Sequence, residues 1–383
     1  MSSNTSVFCP GPHRLPTPIE FRSNSPNSVF GLKDLWRALN DAWNQALTFP
    51  GLAAKLQDHF YRVGDRVLHL AFANDSLVPL LTPALAHLEI AAPKTVDLRV
   101  KLWDRKSTGV FLPPLPATMY QPLPADAQWG SYAHCDRFQA FLQPRYPLFT
   151  MFDRQHNEAI YWVEDSDRLP LSEGGAPLLT LLHWWLGRQN SSSHGYQVIH
   201  GAAVGTARGG ALLVGRSGSG KSTTALACFH GGLSYLGDDY CLVARDPCPQ
   251  VYSLYSSGKV HLSDLTRFSR LQIAQSANRY AEADKAVYFF ADAFADQIVP
   301  SLPLKAIVLP TIRGEGPSRL QAISPATALL AMAPSTVFQL VGERGQTLGH
   351  LGQLVRQLPC YRLDLGSEIE QVPPLIANLL AQL

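Results

Sequence analysis

This sequence has little net charge, no long apolar run and few cysteines. Its 383 residues carry 32 basic and 30 acidic side chains, which leaves a formal net charge of only +2. No Lys/Arg-rich run stands out, so we expect no nucleic-acid partner, since such binding needs a basic patch. No stretch approaches the roughly 18–20 consecutive apolar residues that a membrane span requires, so we expect no membrane segment either.

Cysteine is also sparse, and no CxxC pair occurs. In a chain long enough to bury substantial cores, scattered cysteines favour buried thiols over a disulfide framework or a zinc site. The six positions are Cys9, Cys135, Cys228, Cys241, Cys248 and Cys360. The N-terminal residues lack a basic stretch followed by an apolar one, so we expect no signal peptide. These absences favour a cytoplasmic protein.

The pattern of apolar residues divides the chain into parts of different character. Residues 1–28 are polar and rich in Pro, Ser and Asn, and we expect them to be disordered. Residues 29–150 combine helical spacing over 32–60 with later strand patterns, which predicts a small accessory α/β domain. Over 151–383, short apolar strands alternate with helical patterns, which predicts a larger α/β domain.

The clearest motif is GRSGSGKS, from Gly215 to Ser222, which fits G-x-x-x-x-G-K-[ST] in full. It follows an apolar strand pattern and opens a helical one. Glycines let successive backbone N–H groups point at phosphate oxygens, and a helix N-terminus favours anions. Lys221 would reach the β- and γ-phosphates, and Ser222 would bind Mg²⁺. The motif therefore predicts ATP and Mg²⁺ as cofactors.

We expect the nucleotide to contact the whole loop: Gly215, Arg216, Ser217, Gly218, Ser219, Gly220, Lys221, Ser222 and Thr223. Within it, Arg216 is either a phosphate contact or a solvated loop residue.

Two adjacent carboxylates, Asp238 and Asp239, follow the loop at the end of an apolar strand pattern. Neighbouring side chains of a strand point to opposite faces, so we expect the two to have different roles. One would accept the proton of an attacking hydroxyl, while the other would hold metal-bound water or orient a neighbour. The alternative is a solvated Asp-Asp turn.

His200, in the segment IHGAAVG, would on its own be read as a core histidine of an apolar strand. However, the order His-Gly, phosphate loop, Asp-Asp resembles the catalytic domain of bacterial HPr kinase/phosphorylase. Both spacings, 21 residues from His200 to Lys221 and 17 from Lys221 to Asp238, match that family without a gap. The resemblance covers residues 196–245 firmly and the rest of the C-terminal half loosely.

The resemblance implies that residues 151–383 form a P-loop kinase domain related to HPr kinase and phosphoenolpyruvate carboxykinase. It implies that Asp238 is similar to the catalytic base and that His200 lies near the phosphates. Asp239 is then similar to the accessory carboxylate, which we expect to share the metal with Ser222. Since relatives of this kind form hexamers, a homo-oligomer is a further expectation.

The sequence also departs from that family. The later run of the type Leu-Glu-Ile-Arg-Gly-Leu-Gly is missing, and LYSSGKVHLSD stands in about its place. There, Lys259 either compensates charge on the transferred phosphoryl group or is an ordinary strand-end lysine, and Asp264 is a candidate for the missing acid. The N-terminal half does not resemble the HPr kinase N-terminal domain. The chain is more similar to HPr-kinase-like proteins, such as lasso-peptide kinases, that phosphorylate a serine of a precursor peptide.

The leading hypothesis is therefore a kinase that transfers the γ-phosphoryl group of ATP to a hydroxyl, that of a serine in a peptide or protein. One alternative is a kinase for a small metabolite such as free serine or a sugar. The other is a nucleotide-gated regulatory module with little turnover, against which the presence of both Asp238 and Asp239 argues.

Overall fold

The computed structural model describes residues 31–48, 56–116, 130–143, 146–188, 195–244, 248–276, 285–342 and 344–383. Residues 1–28, which we expected to be disordered, lie outside the described residues. The same holds for Cys9 and for most of the proline-rich stretch after residue 116.

The helices follow the apolar patterns of the sequence. They are α1 Leu32–Leu47, α2 Val78–Leu81, α3 Arg105–Thr108, α4 Leu171–Gly175, α5 Leu179–Leu186, α6 Lys221–His230, α7 Pro325–Gln339, α8 Arg344–Gln357 and α9 Val372–Gln382. A long 3₁₀ segment spans Leu262–Ile273. None of the helices that the structure describes has both the length and the hydropathy to cross a lipid bilayer.

The strands belong to three sheets. They are β1 Gln57–Val63, β2 Arg66–Phe72, β3 Glu89–Ile90, β4 Leu98–Asp104, β5 Ser131–His134, β6 Phe138–Gln143, β7 Leu148–Asp153, β8 Glu158–Val163, β9 Tyr196–His200, β10 Ala202–Thr206, β11 Gly209–Leu213, β12 Ser234–Gly237, β13 Tyr240–Ala244, β14 Gln250–Tyr252, β15 Ser257–His261, β16 Gln275–Ser276, β17 Lys285–Phe289, β18 Ser301–Ile312, β19 Arg319–Ile323 and β20 Cys360–Leu365.

The first sheet has eight strands in the order β3-β1-β2-β4-β8-β7-β6-β5. It is mixed, because β4 pairs in parallel with both β2 and β8, while the other neighbours are antiparallel. Helix α1 covers one face with Leu35, Leu39 and Trp43, whose helical spacing puts them on one side, and these pack with Trp103 and Phe149. The expected α/β character of the N-terminal half is therefore present.

Two expectations for this half are corrected. The helical reading of 32–60 holds to Leu47, but Gln57–Val63 is a strand, because it pairs residue by residue with β2 across a turn at Gly64, where φ is 62°. The boundary placed at residue 150 falls inside β7, and the sheet continues through β8. Strand β8 belongs to this sheet because it pairs with β4, which is distant in sequence, and the local composition gives no sign of this pairing.

The second sheet has nine strands, with the path β12-β10-β11-β18-β14-β13-β9 and with β20 and β19 joined beside β18. Helices α6 and α9 cover one face, where Phe229 and Ile376 pack with Leu213. Helices α7 and α8 cover the other, where Met332 packs with Ile307. Strands β15, β17 and β16 form a small third sheet.

Two pairs of consecutive strands are interrupted at residues that can carry chemistry. Strand β9 ends at His200, and Gly201 separates it from β10. A Cβ atom on Gly201 would lie 2.7 Å from the Leu213 carbonyl oxygen, so only glycine fits there. Strands β12 and β13 are likewise separated by Asp238 and Asp239. The Gly201 N–H donates to the Asp239 carbonyl at 2.9 Å, which joins the two breaks.

The two large sheets pack directly on each other. Tyr61 of the first sheet, Trp185 of α5 and Tyr196 of the second belong to one buried cluster. The Tyr196 hydroxyl donates to Asp65 Oδ1 at 2.8 Å. The Arg66 guanidinium donates to the Trp185 carbonyl at 2.8 Å. These two hydrogen bonds, one half-buried and one buried, join the first sheet to β9 and to α5 and so hold the sheets in a defined relation.

All the cysteines that the structure describes are free thiols, as expected. Burial was expected too, but it holds for only three of them. Cys228, Cys241 and Cys360 are buried, and Cys135 and Cys248 are exposed.

Candidate active site

The loop from Val214 to Gly220 connects β11 to α6 and curves around the N-terminus of that helix. Three of its glycines have positive φ angles, 143° at Gly215, 75° at Gly218 and 101° at Gly220. Residues that have a side chain rarely adopt such φ angles, which explains why glycine occupies these three positions. The Thr224 N–H donates to the Gly220 carbonyl at 2.9 Å and so begins the helix. The strand–loop–helix arrangement expected from the motif is present.

Lys221 is the first residue of α6, and its side chain is only 7% exposed. Its ammonium donates to the carbonyl oxygens of Gly215 at 2.9 Å and Arg216 at 3.2 Å. Burial lowers the pKa of Lys221, and the charges of Asp238 and Asp239 oppose this fall. The side chain is thus folded along the inside of the loop.

Two hydroxyl groups near this lysine are also buried: Ser219 Oγ and Thr224 Oγ1 have no hydrogen-bond partner among the residues that the structure describes. Neither residue lines the cleft above the loop. A loop with open backbone geometry and a buried ammonium fits the phosphates of a nucleotide.

Asp238 is 2% exposed and lies against the start of α6. The Ser222 hydroxyl donates to its Oδ1 at 2.9 Å, and the Lys259 N–H donates to its Oδ2 at 3.3 Å. Burial, together with the charge of Asp239, raises the pKa of Asp238 to about 6. We expected Asp239 to share the metal with Ser222, but the structure places Asp238 there, because the chain turns between the two residues.

A hydroxyl and a carboxylate oxygen side by side suit Mg²⁺, which prefers oxygen ligands and usually completes its shell with phosphate and water. In the described part of the chain, no group of three or more His, Cys, Asp or Glu side chains is arranged to hold a metal ion. The Ser222–Asp238 pair therefore fits the kind of Mg²⁺ site that depends on a bound nucleotide.

Asp239 faces the opposite way and forms an ion pair with Lys259. Its φ of 65° is in the left-handed region, which Asp tolerates better than most residues. Burial alone would raise the pKa of Asp239, but the charge and the hydrogen bond of Lys259, together with the charge of Lys221, lower it below its usual value. Asp239, and not Asp238, lines the cleft above the loop. The expectation that Asp238 is the base facing the acceptor therefore disagrees with the geometry.

His200 ends β9 and lies at the same cleft with 8% of its surface exposed. Its ring centroid is 5.3 Å from that of Tyr240, its partner in the β9–β13 ladder. Burial and the nearby Lys221 charge lower the pKa of His200 to about 4, so the ring is neutral at pH 7. His200 thus lies beside the loop lysine, and its Nδ1 is buried without a partner among the described residues.

The cleft has a volume of about 220 Å³ and brings together residues from six separate parts of the chain. Besides the loop, it is lined by His200, Asp239, Lys259 and Asp264. Asp264 also lies 3.8 Å from the Arg267 guanidinium, so it is not free to act alone. Arg216 is exposed on the outer side of the loop and does not line the cleft.

Sequence reasoning missed Lys285, which also lines the cleft. It begins β17 and pairs across the small sheet with His261, another lining residue. Its charge contributes to the lowered pKa of Lys221. A lysine before an apolar strand is common, so no local signal marks it, and only the pairing of β15 with β17 brings it here.

Comparison with known proteins adds little to this geometry. No protein-family model matches the chain, and no curated protein matches it. Among solved structures, the Hpr(Ser) kinase/phosphatase from Coxiella burnetii matches with 12% identity and a TM-score of 0.26. That match covers 49% of this chain and 95% of the other. A likeness with this TM-score supports no functional assignment.

Proposed function

We propose that the protein is an ATP-dependent phosphotransferase that transfers the γ-phosphoryl group to a hydroxyl, that of a serine in a peptide or protein. One observation carries the proposal. A glycine loop with a buried lysine and an ionised carboxylate from a different strand connection line the same cleft. A pure nucleotide-binding module needs only the first of these two features.

The binding half of the site consists of the loop N–H groups and Lys221, which would hold the phosphates of ATP. Ser222 and Asp238 would hold Mg²⁺, which when bound neutralises charge on the β- and γ-phosphates. The neutral ring of His200 adds no positive charge of its own, so the positive charges near the phosphates come from the lysines. We retain Asp238 as essential, but we assign it to the metal side of the site.

The chemical half consists of Asp239 and Lys259. The acceptor oxygen attacks Pγ, the bond from Pγ to the β–γ bridging oxygen breaks, and that electron pair leaves with ADP. The hydroxyl proton passes to Asp239 and then to solvent. Because Lys259 keeps the pKa of Asp239 low, this carboxylate is a weak base that orients the hydroxyl and accepts its proton late. Positioning and charge stabilisation carry most of the rate enhancement in such transfers.

A small-molecule acceptor is the second candidate, because the cleft volume of about 220 Å³ would suit a compact hydroxyl compound. A peptide acceptor would have to extend beyond the cleft. The two differ in the product: phosphorylated peptide in one case, and a phosphorylated metabolite in the other.

The test uses radiolabelled γ-phosphate of ATP with pooled serine peptides and, separately, with free serine and sugars. We expect Asp239→Asn to lower transfer by roughly 10²–10⁴-fold, the usual contribution of a positioned proton acceptor, while ATP affinity changes little. Asp292→Asn, which alters an exposed carboxylate outside the cleft, is the control. Binding of ATP without transfer to any acceptor would refute the proposal and leave a regulatory module. Normal transfer by Asp239→Asn would refute the role of that residue.

A further inference from the structure

A second cavity, of about 320 Å³, lies next to the cleft at the contact between the first sheet and the second. Tyr240 connects the two. It directly follows Asp239 and pairs with His200 in the β9–β13 ladder, and it also lines the second cavity. The two cavities thus have consecutive residues of the chain, Asp239 and Tyr240, in their walls.

Four aromatic rings line the cavity, beside a similar number of leucines. Phe141, Tyr146 and Tyr161 come from the first sheet and the turn before β7, and Tyr240 comes from the second. Gln339, at the end of α7, accepts a hydrogen bond from the Tyr240 hydroxyl at 3.4 Å. The faces of tyrosine rings carry negative potential and attract cations. The accessory sheet thus supplies much of the wall of a cavity beside the phosphate site.

One carboxyl group, that of Glu173 in α4, belongs to this cavity. The Tyr161 hydroxyl donates to its Oε2 at 3.0 Å, which sets its orientation. Burial raises the pKa of Glu173 to about 7, and the charge of Lys259 partly opposes this rise. A carboxyl group at this position is stabilised in its ionised form when a cation enters the cavity.

Lys259 lies between the two sites. It forms the ion pair with Asp239 at the cleft. On its other side α4 packs against it, since a Cβ atom on Gly175 would lie 3.6 Å from its Cε. The Lys259 ammonium thus pairs with Asp239 of the cleft and acts electrostatically on Glu173 of the cavity. None of the described residues that line the cavity carries a positive charge.

We propose that this cavity, the Glu173 pocket, binds a cationic group of the phosphoryl acceptor, an ammonium or a guanidinium, while the acceptor hydroxyl lies at Asp239. This inference rests on the proposed function. Tyrosine faces and a carboxylate are the combination that recognises organic cations in proteins. The cation belongs either to a Lys or Arg side chain near the serine of a peptide or to a small amine with a hydroxyl. In both cases Glu173 is a specificity-determining residue.

The first experiment measures binding and needs no phosphoryl transfer. Agmatine is the cationic probe and 1-pentanol is an uncharged probe of similar length, each titrated calorimetrically into the full chain. We expect agmatine to bind the wild type at least tenfold more tightly than it binds Glu173→Gln, a substitution that leaves an acceptor oxygen for the Tyr161 hydroxyl. The matched control is Glu164→Gln, which removes a carboxylate that pairs with Arg105 elsewhere on the first sheet.

Equal affinity of agmatine for wild type and Glu173→Gln, or binding of pentanol as tight as that of agmatine, would overturn the inference. Circular dichroism of each variant shows whether it is folded. Should Glu173→Gln fail to fold, Glu173→Asp keeps the charge and shortens the reach, and the same comparison with agmatine then applies.

The second experiment measures specificity. Serine peptides with Lys, Ala or Glu at each flanking position, and the small amines ethanolamine and L-serine, are offered with ATP. We expect at least a tenfold preference in kcat/KM for one Lys-containing position or for the amines, and a reversal toward Glu in Glu173→Lys. Transfer without charge preference would overturn this inference alone. Absence of all transfer would overturn the proposed function, and the agmatine titration would still decide whether the Glu173 pocket binds cations.

Discussion

The neutral state of His183 can be tested through its effect on stability. His183 lies in α5 at the contact between the two large sheets, and 8% of its surface is exposed. Its Nδ1 is buried without a hydrogen-bond partner among the described residues. Burial lowers the pKa of His183 to about 4, compared with 6.5 in the unfolded chain. Folding therefore requires the neutral ring.

The sign and the size of the effect follow from this pKa difference. Between pH 6.5 and 4 the unfolded chain binds a proton that the folded chain does not, so the free energy of unfolding falls as pH falls through this window. A gap of about 2.5 pKa units corresponds to about 3 kcal/mol in all. His87 and His200, whose pKa values burial also lowers to about 4, act in the same direction.

Two other groups act in the opposite direction, so a single-residue comparison is needed. The pKa values of Glu173 and Asp238 are raised to about 7 and about 6, so these groups favour the folded state as pH falls. The assay is urea unfolding at pH 7.5, 6.0, 5.0 and 4.5 for wild type and His183→Gln. We expect the free energy of unfolding of wild type, relative to that of the variant, to fall by about 2–3 kcal/mol across this range. A difference that stays constant with pH would refute the reasoning, and the exposed His134→Gln serves as control.

Two further predictions concern the loop and the metal side of the site. In Gly220→Ala, the new Cβ would lie 2.6 Å from Leu365 Cδ1 at a φ of 101°, so we expect the free energy of unfolding to fall by about 2–4 kcal/mol. In the control Gly218→Ala no atom lies within 4 Å of the new Cβ, and we expect a fall of about 1 kcal/mol. Equal losses of the two variants in thermal denaturation would contradict this prediction. In Asp238→Asn, the Ser222 hydrogen bond can persist but the charge is lost, so we expect the Mg²⁺ concentration for half-maximal ATP binding to rise at least tenfold. If that concentration stays unchanged, Asp238 does not bind the metal.

The local parts of the site were predictable from sequence because their geometry is local. A strand, a glycine loop and a helix that follow one another must place Lys221 and Ser222 at the helix N-terminus, since backbone rules decide it. The helix that begins at residue 32 was likewise readable from apolar spacing, although its end at Leu47 was not.

The division of roles between Asp238 and Asp239 was not predictable in this way. Alternation along a strand correctly separated the two side chains, but these residues form a bend between β12 and β13. Which one reaches Ser222 and which one reaches Lys259 depends on the left-handed backbone of Asp239 and on its bond to Gly201. Those partners are distant in sequence, so no local pattern contains the answer.

By itself, the sequence determined that a strand, a glycine-rich loop and a helix follow one another, which residues form the loop and that two carboxylates follow it, because each of these depends on residue types at short spacing. Only the tertiary structure decided which carboxylate lines the cleft and that Lys285 lines it too. It also decided that the first sheet extends to β8 and supplies part of the wall of the Glu173 pocket. Strand pairing and sheet packing join segments far apart in the chain, and their free energy depends on contacts that no single segment contains.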